Sequence, residues 1–123
     1  MTKDEIKQML TRRSGLLAYT GTNKVQELLK SAAEGDETVQ NALEAFYYQV
    51  GKEIAAMSVA MKGQVDQIIF TGGIAYSKVV TDAISELVGW IAPVTVYPGE
   101  DEMQALALGV LRVLSGEESA KDY

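Results

Sequence analysis

Val65-Asp66-Gln67-Ile68-Ile69-Phe70-Thr71-Gly72-Gly73-Ile74-Ala75-Tyr76-Ser77 decides how this chain folds. Ile68, Ile69 and Phe70 form a short apolar run of β-formers and predict a buried strand. Thr71-Gly72-Gly73 breaks the run, and a helix is expected from Ser77. A strand that leaves through two glycines lets a ligand approach bare backbone, because no Cβ stands in the way. Free amides at the start of the next helix favour anions. A tight β–α turn uses glycines for its torsion angles alone, so both readings stay open. The pattern is neither a dinucleotide fingerprint nor a Walker loop.

Downstream, Val79, Val80, Ala83, Ile84, Leu87 and Val88 give the helix from Ser77 to Val88 an apolar stripe. Pro93-Val94-Thr95-Val96-Tyr97 reads as a second strand, and Pro98-Gly99 turns the chain. Glu100-Asp101-Glu102 opens a last helix, where acidic groups suit the positive end of the dipole. Met103, Leu106, Ala107, Val110, Leu111 and Leu114 are expected to be its buried face. Gly109 suggests close packing, Gly116 ends the helix, and 117–123 reads as a frayed tail.

Upstream, Asp36 caps a long helix that Gly63 closes. Val39, Leu43, Phe46, Val50, Ile54, Met57 and Met61 recur every three or four residues. Ala42, Tyr47 and Ala55 widen that face, which suggests a helix covered on more than one side. Gly51 in its middle implies close packing, and Met57 and Met61 read as core filler. Before it, Val25, Leu28 and Leu29 stripe a shorter helix that follows the turn Thr20-Gly21-Thr22-Asn23. The chain opens with a capping box from Thr2 to Glu5 and a short helix faced by Ile6, Met9 and Leu10. Arg12-Arg13 could meet a phosphate or simply end that helix in water.

The order is helices, then strand–helix–strand–helix, which implies two parallel strands. Two parallel strands are a poor sheet on their own. The chain therefore reads as part of a larger α/β domain, or it takes a further strand from Leu16–Tyr19 or from a partner. The 123 residues suffice for one domain, 1–123. A net charge of −6 without a Lys/Arg run argues against nucleic acid as partner. No apolar run nears the ~20 residues that span a bilayer, and Met1-Thr2-Lys3-Asp4-Glu5 is not read as a signal peptide. Without cysteine or histidine, chemistry rests on carboxylates, hydroxyls, amides, Lys and Arg. A reducing, cytoplasmic setting is expected, and magnesium is the one metal entertained.

Three stretches together resemble the C-terminal part of the butyrate kinase family. They are Ser14-Gly15-Leu16-Leu17-Ala18-Tyr19-Thr20-Gly21-Thr22-Asn23, then Ile69-Phe70-Thr71-Gly72-Gly73-Ile74-Ala75-Tyr76-Ser77, then Ala92-Pro93-Val94-Thr95-Val96-Tyr97-Pro98-Gly99-Glu100-Asp101-Glu102-Met103. Acetate and propionate kinases form the wider group, within the actin-like ATPases. The resemblance implies a helix-rich α/β piece of an actin-like, ribonuclease H-like C-terminal lobe. It implies reversible phosphoryl transfer between ATP and a short-chain carboxylate (butyrate + ATP = butanoyl phosphate + ADP). It places Thr71, Gly72, Gly73 and Ile74, with Tyr76 and Ser77, beside the adenosine. It places Thr22 and Asn23 near ribose and adenine. Relatives carry Asp-x-Arg just after that turn, and this chain departs from them with Lys24-Val25-Gln26. For the magnesium of the nucleotide it points to Glu102, ahead of Asp101 and Glu100; the same acids also serve as helix-dipole compensation.

The family's N-terminal lobe and both phosphate loops have no counterpart in this sequence. The expectation is an adenosine-side half-site that binds ATP or ADP weakly and does not catalyse alone. Expected partners are nucleotide and either the missing N-terminal lobe or a second copy. Two rivals remain: a non-catalytic dimerisation module using the apolar faces of 39–61 and 103–114, and a plain α/β domain whose glycines are only turns.

Overall fold

The computed structural model describes residues 1–99 and 101–120. Six helices and two strands run in the order α1 (Lys3–Arg12), α2 (Leu16–Thr20), α3 (Val25–Ala33), α4 (Glu37–Ser58), β1 (Ile68–Phe70), α5 (Lys78–Val88), β2 (Val94–Val96) and α6 (Glu102–Leu114). The helix-rich α/β class with one small parallel sheet is as expected.

The strands pair in parallel, Ile68 with Val94, Ile69 with Thr95 and Phe70 with Val96. α5 crosses between them, and α4 lies along α5. The contact is close because Gly51 carries no side chain. A Cβ there would lie 3.2 Å from Leu87 Cβ and 3.3 Å from Leu87 Cδ1. The close packing expected of this glycine is real. Ile68, Val80, Ile84, Val88 and Ala92 form the main core, with Phe46, Val50 and Ile54 of α4 packed on it. Leu28, Val39 and Leu43 form a second core between α3 and α4. Leu29 and Tyr47 pack on both, so the α3–α4 layer and the sheet layer are continuous. Burial there pushes the Tyr47 phenol above its ordinary value.

Helix starts follow the sequence. The Asp36 carboxylate accepts from the Val39 amide at 3.1 Å. Thr2 and Glu5 make the reciprocal box, with Glu5 N donating to Thr2 Oγ1 at 3.2 Å and Thr2 N to Glu5 Oε2 at 2.6 Å.

Several expectations need correction. Leu16–Tyr19 is not a strand; it lies in α2 and packs on α4, with Leu16 against the second core. Four apolar side chains in a row fit a helix edge as well as a strand, and Gly15 and Gly21 at its ends leave room for only one turn or so. The long helix tightens after Ser58 into a 3-10 turn, Val59–Met61. Met57 and Met61 are 61% and 48% exposed rather than core. A short 3-10 turn, Gly73–Tyr76, precedes α5, which begins at Lys78 with Ser77 as its cap. β1 is buried on one face only: Ile68 is in the core while Ile69 is 58% exposed. The two-stranded sheet has helices against that one face.

The largest departure is α6. None of its residues is buried, with Met103 81% and Leu114 77% exposed. Gly109 packs against nothing closer than the Arg112 guanidinium. The periodicity made a helix, but no element among the described residues covers it. Residues 117 and 118 are not frayed. Their amides donate to Arg112 O at 3.0 and 3.2 Å, and Glu118 pairs with the Arg112 guanidinium at 3.1 Å. Residues 121–123 of the expected tail lie outside the described residues. α1 likewise buries none of its residues.

Candidate functional site

Both strands leave the sheet through glycines, and the two exits are tied together. Gly72 N donates to Gly99 O at 3.0 Å, and Gly99 N donates to Gly72 O at 3.1 Å. Gly72 has φ 82° and Gly99 φ 100°, conformations that side chains with a Cβ rarely adopt. For Gly72 the torsional need is therefore met. Gly73 is different. Its φ is not positive, and a Cβ built on it would meet nothing within 4 Å.

Gly73 faces a pocket of about 510 Å³. One wall is Gly73, Ile74, Tyr76 and Ser77, the 3-10 turn after β1. The other is Asn23, Lys24, Val25, Gln26 and Glu27, the turn before α3 and its first turn. The first wall is glycine backbone, the Ile74 side chain, the Tyr76 phenol and Ser77. The second is polar and carries an ion pair, with Lys24 Nζ 2.8 Å from Glu27 Oε1. Thr22 steadies that wall without lining the pocket. Its hydroxyl accepts from the Lys24 amide at 3.2 Å and donates to Glu27 Oε2 at 3.4 Å. The hydrogen bond between them holds Glu27 below and Lys24 above their ordinary ionisation ranges. The wall is charged on both residues yet nearly neutral as a whole. Ser77, at the start of α5, makes no side-chain capping bond, so the amide end of an 11-residue helix borders the cavity.

Of the residues singled out from sequence, Asn23, Gly73, Ile74, Tyr76 and Ser77 come together here. Thr22, Thr71 and Gly72 are not among the residues that line it. Glu102 does not join them. It lines a separate open groove on α6 with Ala105, Leu106, Gly109 and Val110. Among the described residues no three acidic groups gather to hold a metal ion, and Glu100 lies outside those residues. Arg12 and Arg13 end α1 in solvent. Glu27 and Gly99 were not singled out from sequence. The i, i+3 spacing of Lys24 and Glu27 at a helix start is a signal for the first. For the second, the signal is the repetition of a glycine turn after each strand.

The pocket lies beside the glycine exit of β1, at the carboxyl end of a parallel strand–helix–strand–helix unit, the place where open α/β sheets bind their ligands. The chain belongs to the Acetokinase family, whose model matches residues 1–92. It is 51% identical over 122 residues to butyrate kinase 2 of Clostridium acetobutylicum, covering 99% of this chain and 34% of that protein. The fold resembles part of a propionate kinase from Francisella tularensis subsp. tularensis SCHU S4. That match has a TM-score of 0.73 at 24% identity and covers 84% of this chain and 32% of the other. The chain thus spans about a third (34%) of the length of the curated relative. The likeness to the butyrate kinases read from three motifs holds across nearly the whole chain.

Proposed function

We propose that this chain forms the adenosine side of the nucleotide site of a cytoplasmic butyrate kinase, which moves a phosphoryl group between ATP and butyrate. On its own it binds ATP or ADP weakly and transfers nothing. One observation carries this reading: Gly73 lines the pocket although neither its torsion angles nor any neighbour requires a glycine. A flat base needs a wall without side-chain bulk, and Gly73 with Ile74 supplies one. The cavity is within the usual range of small-molecule pockets, roughly 300–1,000 Å³.

The same geometry supports the lack of independent catalysis. Phosphoryl transfer depends on positioning and on charge placed around the phosphates. The one cation on the pocket wall, Lys24, is already engaged by Glu27. Glu102 faces another groove. Phosphate cradles and most of the magnesium shell would come from a further lobe, with Glu102 as this chain's contribution.

Calorimetric titration with ADP and magnesium, then with adenosine alone, tests the proposal. Similar weak binding of both is expected. Much tighter binding of ADP would reveal a phosphate site in this chain and overturn the half-site reading. No heat from a folded sample would overturn nucleotide binding altogether. That last result would favour a second reading, a self-associating module without catalysis, for which the bare apolar surface of α6 speaks.

A further inference from the structure

The pocket's second feature lies outside its lining. Tyr76 sits on the pocket wall, yet its phenol reaches across to Gly99, on the loop that follows the other strand. A Cβ on Gly99 would stand 2.6 Å from Tyr76 Oη and 3.3 Å from Cζ, closer than a side chain tolerates. The hydroxyl occupies the space that any other residue at 99 would fill. Gly99 is held there by its paired hydrogen bonds to Gly72, so the seat is fixed to the same glycine exit that forms the pocket.

We infer that Gly99 is a positioning residue for the nucleotide pocket: its bare Cα seats the Tyr76 ring, and the seated ring sets the wall against which the base packs. Tyr76 is otherwise 70% exposed, and no hydrogen bond holds its hydroxyl among the described residues. A ring so free would sample several rotamers. The bare Cα at 99 leaves room for the one seen here, with the phenol over the glycine, and a wall set before a ligand arrives is preorganised. The β2–α6 loop thereby acts on a site formed by two other loops. This role rests on the proposed nucleotide site.

The test is a double-mutant cycle read by adenosine titration, with amide chemical shifts as the signal because the binding is weak. Gly99→Ala is expected to weaken adenosine several-fold, to move the Tyr76 ring signals, and to shift the amides of 73–77 without ligand. Tyr76→Ala is expected to weaken adenosine as well. In the Tyr76→Ala background, Gly99→Ala should leave the affinity unchanged while still lowering the melting temperature, since φ at 99 is positive. Tyr76→Phe keeps the ring and is expected to weaken adenosine less than Tyr76→Ala does. If Gly99→Ala weakens adenosine equally with and without the Tyr76 ring, Gly99 acts by backbone strain alone and the inference is wrong. If the parent chain binds no adenosine, the nucleotide reading falls and takes this role with it. The first result leaves the pocket standing, and the second does not.

Discussion

α4 and α6 carry the same kind of message in sequence and meet different fates in the structure. Each has apolar residues every three or four positions and a glycine in its middle. α4 is covered by α2, α3 and α5, and Val39, Leu43 and Gly51 are buried. α6 buries nothing. Periodicity determines that a helix forms and which face could be buried. It does not supply the surface that buries it.

The sharpest way to break this comparison is to cut a large side chain on each side. Leu28→Ala removes a residue that is 2% exposed in the α3–α4 core. It should cost about 2–5 kcal/mol by chemical denaturation. Leu106→Ala on α6 should change stability by no more than about 0.5 kcal/mol. Equal losses would mean that α6 is covered in solution, and sedimentation of the same samples would say whether a second copy covers it.

The two helical glycines sharpen the contrast at a smaller scale. Gly51→Leu drives a side chain into Leu87 and Val88, and overpacking of this kind costs about 1–3 kcal/mol. Gly109→Ala meets only the Arg112 guanidinium, at 3.9 Å. It should strengthen α6 by up to about 1 kcal/mol from helix propensity, seen as slower amide exchange in α6. A destabilising Gly109→Ala would show a close neighbour at α6.

The same division governs what could be read beforehand. The long helix, both strands, α5 and the capping residues were legible because each is a local matter: a period, a cap or a glycine stop. The fate of Ile69, Met57 and the α6 face was not, because burial depends on what lies opposite. Leu16–Tyr19 stayed open as a possible third strand because four apolar residues carry no period, and it is helix. Gly73, Ile74, Tyr76, Ser77 and Asn23 were named through the family resemblance, and they line one pocket. That Glu27 shares their pocket depends on how α3 is set against α5, and that Gly99 seats Tyr76 depends on strand register. Neither fact is local.

Capping offers a finer cut between the packed unit and the termini. Asp36→Ala removes the acceptor for the Val39 amide at the head of α4. It should lower global stability by about 1 kcal/mol. Thr2→Ala removes the equivalent acceptor from α1, where no residue is buried. It should loosen α1 alone, visible as faster exchange there with an unchanged denaturation midpoint. A shift of that midpoint would mean that α1 is coupled to the core.

The smallest effect belongs to the ion pair on the pocket wall, and its sign differs at the two ends of the pH scale. Glu27 is held below its ordinary value by the hydrogen bond to Lys24. Its contribution is therefore complete above the unfolded glutamate value and is lost as pH falls through the lower folded one. Lys24 is held above its ordinary value by the same bond. Its contribution is complete below the unfolded lysine value and is lost as pH rises through the higher folded one. Between those limits the pair adds a flat term, small because both side chains are well exposed and screened by solvent. Side-chain carboxyl signals followed by NMR should show Glu27 titrating low in the parent chain and returning toward its ordinary value in Lys24→Met. If the signal does not move, the partner of Glu27 in solution is the Thr22 hydroxyl rather than Lys24. Lys24 would then stand free on the wall, a cation open to a phosphate, and the prediction that ADP and adenosine bind alike would fail with it.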